Sequence, residues 1–216
     1  MTRILLVRHG QSEWNATGRW QGWADPPLTD VGRAQARSAA GGVGSIDAVV
    51  ASDLQRAMET AVIIADALGV GPAAIDPGLR ERDVGEWTGL TRAEIEERWP
   101  DLLHAFFRRS GGPGGTGSER PTGPVDPPGG ETAPQIIERV LSAVARIVDA
   151  YEGADVLAVA HGGVIRMLER HLGVDPAQLP NLGGVELLVQ DGRMSVGPRL
   201  LLVDPDEVAI TIPRQL

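Results

Sequence analysis

Ile4-Leu5-Leu6-Val7-Arg8-His9-Gly10 is the stretch that decides the fold. Four consecutive apolar residues followed at once by a cation, an imidazole and a glycine read as a strand buried on both faces that runs out into a loop. The pattern returns further along, where Asp155 to Ala160 is apolar after its first residue and passes into His161-Gly162-Gly163. Between the two, Asp47 to Ala51 forms another apolar run, followed by Ser52-Asp53-Leu54-Gln55-Arg56. Buried strands that end in polar residues and alternate with stretches of helical spacing predict an α/β fold. Its expected form is three layers, a mostly parallel central sheet flanked by helices.

Working outward, Thr29 is expected to cap a helix over 29–42, stopped by Gly41-Gly42. Ser52 is expected to cap a helix over 53–68, with Gly69 ending it. Ala73 to Ile75 reads as a short strand, and Thr91 as the cap of a helix that breaks at Pro100 and resumes to about Arg109. Thr132 and Gln135 fit a capping box, and Ile136, Val140, Val144 and Ile147 line one face of the helix that follows. A helix over 164–172 and two short strands, about 185–190 and 199–203, complete the pattern. Residues 1–216 read as one domain, with an irregular Gly- and Pro-rich excursion at about 110–130.

Composition narrows the function. Apolar residues make up 42% and charged residues 23%, an ordinary globular balance. A formal charge of −9 argues against nucleic acid or an anionic membrane as partner. Positive charge for an anionic substrate must therefore be concentrated in one pocket. The chain has no cysteine, which excludes disulfides, thiolate chemistry and cysteine-based zinc sites. No apolar run reaches membrane-spanning length, and the first residues are charged too soon for a signal peptide, so a cytoplasmic location is expected. Composition leaves room for a homodimer.

Ligands of open α/β sheets bind at the carboxyl ends of the strands. Arg8, His9, Arg56 and His161 all follow strand ends and would converge there on a small anion. Arginine offers a rigid fork of donors for phosphate oxygens. A neutral imidazole can attack phosphorus, and a second imidazole can stabilise the charge on the transferring group. A histidine after an apolar strand is more often a structural residue, but here the same context occurs twice. His104 and His171 lie in helical patterns and read as structural or exposed. A zinc site is the other reading of two histidines, yet no ligand spacing supports it.

The ordered motifs resemble the histidine phosphatase superfamily, also called the phosphoglycerate mutase-like family. They are Arg8-His9-Gly10-Gln11-Ser12-Glu13-Trp14-Asn15, Pro27-Leu28-Thr29-Asp30-Val31-Gly32, Ser52 to Ala57, Leu79-Arg80-Glu81 with Gly85 to Leu90, Pro128 to Glu131, and Ala160-His161-Gly162-Gly163. The resemblance implies that His9 is the phosphorylated nucleophile, held with its phosphoryl group by Arg8, Arg56 and His161. Asn15, Gln21 and Gly22 match positions that contact phosphate at the edge of the pocket, and Glu81 the general acid and base; Gly10, Gly162 and Gly163 are expected, from their lack of a side chain, to let the backbone approach the ligand. Taken alone, Glu81 would read as a surface ion-pair partner of Arg80 or Arg82. The implied substrate is a small-molecule phosphate ester, with no metal and no cofactor.

Water or a second hydroxyl as acceptor would make the enzyme a phosphatase or a mutase. Gly22-Trp23-Ala24-Asp25, Arg92, Arg108 and Arg109 resemble the cofactor-dependent mutases, where such basic residues bind carboxylate and second phosphate. His161-Gly162-Gly163 resembles the phosphatases, and Val84 stands where mutases commonly carry tyrosine, so the phosphatase is favoured. A non-catalytic module that binds phosphate esters is the third reading. Trp20 or Trp23 is expected to line the leaving-group side, given that three of the chain's 5 tryptophans cluster near the signature.

Overall fold

The computed structural model describes residues 1–110 and 125–210. Its sheet is formed by β1 (Thr2–Arg8), β2 (Ala48–Ala51), β3 (Ala74–Ile75), β4 (Asp155–Ala160), β5 (Gly183–Gln190) and β6 (Arg193–Leu201), in the order β3-β2-β4-β1-β5-β6. The first four in that order run parallel, and β5 and β6 add an antiparallel hairpin beside β1.

Alternation along β1 sets the three layers, since successive side chains of a strand point to opposite faces. Ile4 and Leu6 pack on one face against α6 (Ala133–Ala150) and α7 (Gly162–His171). Leu5 and Val7 pack on the other against α2 (Asp30–Gly42) and α3 (Gln55–Leu68). The helices present what the sheet needs. Ile136, Val140, Val144 and Ile147 are buried along α6, while Ala36, Ala39, Ala57 and Ala61 let α2 and α3 approach closely.

A smaller third cluster sits above the carboxyl edge of the sheet. It joins Trp20, Val84 and Trp87 to Ile95 of α4 (Arg92–Arg98), to Leu103, Phe106 and Phe107 of α5 (Pro100–Ser110), and to Val125. Trp20, Trp87 and Phe106 meet edge to face at 5.2–5.7 Å between centroids, a favoured arrangement for aromatic rings. Trp87 is fully buried at its centre. Trp87→Ala is expected to cost about 3–5 kcal/mol, read from the urea midpoint of the purified protein.

The expected caps at Thr29, Thr91 and Thr132 are present, and Gly69 ends α3 in the left-handed conformation at φ 67°. Three boundaries and one element differ from expectation. α3 begins at Gln55 rather than 53 and is not capped by Ser52, whose hydroxyl is engaged elsewhere. α7 begins at Gly162, with His161 at its N-cap. β6 begins at Arg193, earlier than the expected 199, because Asp191 and Gly192 both take positive φ (51° and 72°) and close a tight hairpin. The short helix α1 (Glu13–Thr17), closed by a Ser12–Asn15 capping box, was not expected at all. Of the expected excursion at 110–130, residues 111–124 lie outside the described residues. Val125 and Asp126 are packed, Asp126 against Arg82. No helix among the described residues is long and apolar enough to cross a membrane.

Candidate active site

The strand order β2-β4-β1 places the carboxyl ends of three strands side by side, and Ser52, His161 and Arg8-His9 leave the sheet there. His161 donates to or accepts from the Ser52 hydroxyl at 2.9 Å, and its ring meets that of His9 edge to face at 5.1 Å. Arg56, in the first turn of α3, is fully buried and reaches back towards them. Arg8, His9, Arg56, Gln21, Gly22, Glu81 and Gly162 all line one cavity of about 80 Å³. A single water needs about 10–15 Å³ on such a measure, so the cavity holds several water-sized positions, enough for a phosphoryl group. His161 packs against the His9 ring but does not itself line the cavity.

Hydrogen bonding fixes the state of both rings. His9 Nδ1 lies 2.6 Å from the Gly10 carbonyl, which can only accept, so Nδ1 carries the proton and Nε2 of the neutral ring keeps its lone pair. The Ser52 Oγ accepts from the Leu54 amide at 3.3 Å and so can give its own proton to His161 Nε2. His161 Nδ1 is then a donor, buried and without a hydrogen-bond partner among the described residues. Arg8 Nε and Arg56 Nε are likewise buried without partners. Their terminal nitrogens are anchored, Arg8 on the Leu179 carbonyl at 3.1 Å and Arg56 on the Ala24 and Gly22 carbonyls at 2.8 and 2.9 Å. Buried donors are nearly always satisfied. Three without a partner among the described residues, two on arginines that line the cavity and one on the ring packed against His9, mark a place for acceptor oxygens.

Burial is the main reason that both histidines lie well below the usual imidazole range, and the charges of Arg56 and Arg8 push them further. Burial also lowers Arg8 to about 9 and Arg56 to about 10, and Arg166 adds like-charge repulsion at Arg8. Neutral imidazole is thus the folded form, and protonation favours unfolding. The stability this contributes is complete above about pH 6.5 and is lost as pH falls towards the folded-state values. Urea unfolding of the free protein is expected to weaken between pH 7 and 5.5 by up to about 1.4 kcal/mol per pH unit per histidine. An unchanged stability over that range contradicts the burial of neutral rings.

Glu81 is held from several sides. Its carboxylate accepts from the Arg82 amide at 2.8 Å and the Gly163 amide at 3.1 Å. A Cβ on Gly163 would lie 2.4 Å from a Glu81 oxygen, so this glycine makes room for the carboxylate rather than for a ligand. Gly10 likewise gives its space to the backbone of Gly32. The ion pairs open to Glu81 from sequence alone are not formed. Arg80 pairs with Asp53 through two bonds of 2.6 and 2.7 Å, and Arg82 pairs with Asp126. Arg139 of α6 fastens the segment by donating to the carbonyls of Gly78, Arg80 and Glu81 while holding both oxygens of Glu131.

The outer residues divide. Asn15 is buried but does not line the cavity; its carbonyl oxygen accepts from the Ser12 amide and from Asn181, both at 3.2 Å. Trp20 does line the cavity, whereas Trp23 is exposed and donates its indole N–H to the Glu81 carbonyl at 2.7 Å. Arg92 stacks over Phe107 at 4.3 Å, away from the cavity lining. The side chains of Arg108 and Arg109 lie outside the described residues. His104 and His171 are exposed. Phe106 and Arg166 line the cavity without having been singled out in the sequence. The spacing to Gly162 places Arg166 one helical turn along, on the same side of α7, and that was the available signal.

The family profile described as histidine phosphatase superfamily (branch 1) matches residues 4–187. The chain belongs to this superfamily. It is 41% identical over 172 residues to a bifunctional protein of Mycobacterium tuberculosis, covering 78% of this chain and 43% of that protein. The chain thus spans less than half the length of that relative. It is 38% identical over 193 residues to the 2,3-bisphosphoglycerate-dependent phosphoglycerate mutase of Methylobacterium radiotolerans, covering 84% and 85% of the two chains. Its fold matches a vanadate complex of mycobacterial glucosyl-3-phosphoglycerate phosphatase with a TM-score of 0.75 at 29% identity, over 90% of this chain and 96% of that one. The proteins that this chain resembles thus include both a phosphoglycerate mutase and a phosphatase.

Proposed function

We propose that the protein hydrolyses phosphomonoesters through a covalent phosphohistidine on His9. The observation that carries this reading is the tautomer of His9, which keeps the Nε2 lone pair on a ring that lines the cavity together with Arg8 and Arg56. In the first step Nε2 attacks phosphorus, the P–N bond forms and the P–O ester bond breaks. The leaving oxygen takes the proton of Glu81. In the second step water attacks phosphorus, Glu81 takes its proton, and the P–N bond breaks to release phosphate and neutral His9. Arg8 and Arg56 neutralise the equatorial oxygens throughout, in a site dry enough for their charges to count.

Water rather than a second substrate is the favoured acceptor. Arg92, which resembles a mutase residue for the substrate's second anionic group, is committed to Phe107. Val84, where mutases commonly carry tyrosine, adds an apolar wall to the cavity. The test is phosphate release from a panel of phosphomonoesters, run beside a coupled 3-phosphoglycerate mutase assay supplied with 2,3-bisphosphoglycerate. Release with negligible mutase turnover supports the phosphatase; mutase turnover far faster than release from any ester sinks it. Because guanidinium groups neutralise the phosphoryl charge in this scheme, release is expected to be unchanged by EDTA. A loss of activity that added divalent metal restores contradicts that.

A further inference from the structure

The pairing of β1 ends at His9. The His9 amide donates to the Ala160 carbonyl of β4 at 3.1 Å, and on the other side the Arg8 carbonyl accepts from the Leu182 amide at 3.1 Å. The next peptide unit, made of the His9 carbonyl and the Gly10 amide, lies beyond the paired register. Buried backbone groups still need partners, and two side chains from different elements supply them. Asn181, in the segment before β5, donates through Nδ2 to the His9 carbonyl at 2.9 Å. The Gly10 amide donates to the hydroxyl of Thr60 on α3 at 3.0 Å.

Both side chains are fully buried, and both connect onward to residues of the site. Thr60 Oγ1 gives its own proton to the Arg56 carbonyl at 2.7 Å, a common bond for a threonine inside a helix, and keeps its lone pairs for Gly10. One hydroxyl thus joins the backbone of His9–Gly10 to that of Arg56. Asn181 Nδ2 also donates to Asn15 Oδ1 at 3.2 Å. The chain turns sharply just after Asn181: Leu182 is fully buried in the left-handed region at φ 57°. That conformation is uncommon for leucine, and such strain persists where the surroundings hold it for a task.

The consequence falls on the imidazole. His9 Nδ1 donates to the Gly10 carbonyl at 2.6 Å. Where that carbonyl stands depends on the peptide unit before it. A swing of the His9–Gly10 unit withdraws the acceptor from Nδ1 and turns the ring. With its carbonyl held by Asn181 and its amide by Thr60, the unit stays in place, and the lone pair stays on Nε2 of a ring that lines the cavity.

We infer that Thr60 and Asn181 are positioning residues, which clamp the His9–Gly10 peptide from two sides and so fix the tautomer and the aim of the attacking ring. Neither is among the residues lining the cavity, so each acts through His9. The inference rests on the phosphohistidine reading above and deepens it.

The test uses Thr60→Val and Asn181→Leu, which nearly keep the shapes and remove the hydrogen bonds. Each is expected to slow formation of the phosphohistidine in single turnover about 10- to 100-fold, with KM within about three-fold of the wild type. The double variant should lose little beyond the slower single one, because both bonds hold one peptide unit. Nitrogen NMR of the free enzyme, with His9 assigned against His9→Ala, reads the ring directly. The proton should sit on Nδ1 in the wild type and be shared between Nδ1 and Nε2 in each variant. Thr60→Ser keeps the hydroxyl and should restore both rate and tautomer.

A Val or Leu variant that keeps its proton wholly on Nδ1, or phosphorylates within about three-fold of the wild type, overturns the inference. So does a loss carried by KM, a fully multiplicative loss in the double variant, or a Thr60→Ser enzyme as slow as Thr60→Val. Where Thr60→Val does not fold, Asn181→Leu and Thr60→Ser decide by the same readouts. If the wild type turns over no ester, the phosphohistidine reading fails, while the tautomers of the variants still decide the clamp.

Discussion

His9→Ala is expected to lower phosphate release by about 10,000-fold or more in kcat, the scale seen when a covalent nucleophile is removed. The reason lies in what remains. Arg8, Arg56 and His161 would still bind a phosphoryl group, so KM should move far less than kcat. No other group can take over the attack: Nε2 of His161 is turned to Ser52, and the nitrogens of Arg8 and Arg56 are donors without lone pairs to give. Direct attack by water would have to start from a site shaped for an imidazole. A second readout separates loss of chemistry from loss of fold. Wild-type enzyme quenched in alkali during turnover should carry a base-stable, acid-labile phosphoryl group on His9, absent in the variant. The variant should also lose part of the acid-side destabilisation, because one of the two buried neutral rings is gone. Retention of more than a few per cent of wild-type kcat rules out the phosphohistidine route.

The sheet was legible in the sequence because it is buried on both faces. Ile4 to Val7 and Val156 to Ala160 are continuous apolar runs, which only a strand covered above and below tolerates in so short a length. The helix caps at Thr29, Thr91 and Thr132 were legible because capping is local chemistry. Ser52 misled for an instructive reason. A serine after a strand and before a helical pattern is a good N-cap, but the Ser52 hydroxyl accepts from the Leu54 amide while meeting His161, and α3 starts later with Leu54 at the cap position. The local rule failed where the site has a claim on the residue. The start of β6 could have been read from Asp191-Gly192, a dipeptide suited to a tight hairpin.

The site divides in the same way. The residues on strand ends, Arg8, His9 and His161, could be read as converging, because topology alone brings them together. Glu81 could not, since it comes from a loop whose course is set by Arg139 and Glu131 some 50 residues further on; only the resemblance picked it out. Arg92 and Trp23 carried the right chemistry for a ligand, but tertiary packing engages them with Phe107 and the Glu81 carbonyl. Arg166 carried no motif of its own.

Glu81→Gln is expected to separate esters by their leaving groups. A glutamine fits the space, but it has no proton to give, and its single carbonyl oxygen cannot serve both the Arg82 and Gly163 amides. For an alkyl phosphate, whose alkoxide leaves poorly, kcat/KM should fall about 100- to 10,000-fold. For p-nitrophenyl phosphate the leaving oxygen needs no proton, and kcat/KM, which reports the first step alone, should fall much less. The second step offers no such escape, because the attacking water still needs a base. The variant should then phosphorylate quickly and dephosphorylate slowly, giving a burst of nitrophenol equal to the enzyme concentration followed by a slow steady rate. Equal losses in kcat/KM on both esters, with no burst, would mean that Glu81 positions the substrate and does not move the proton.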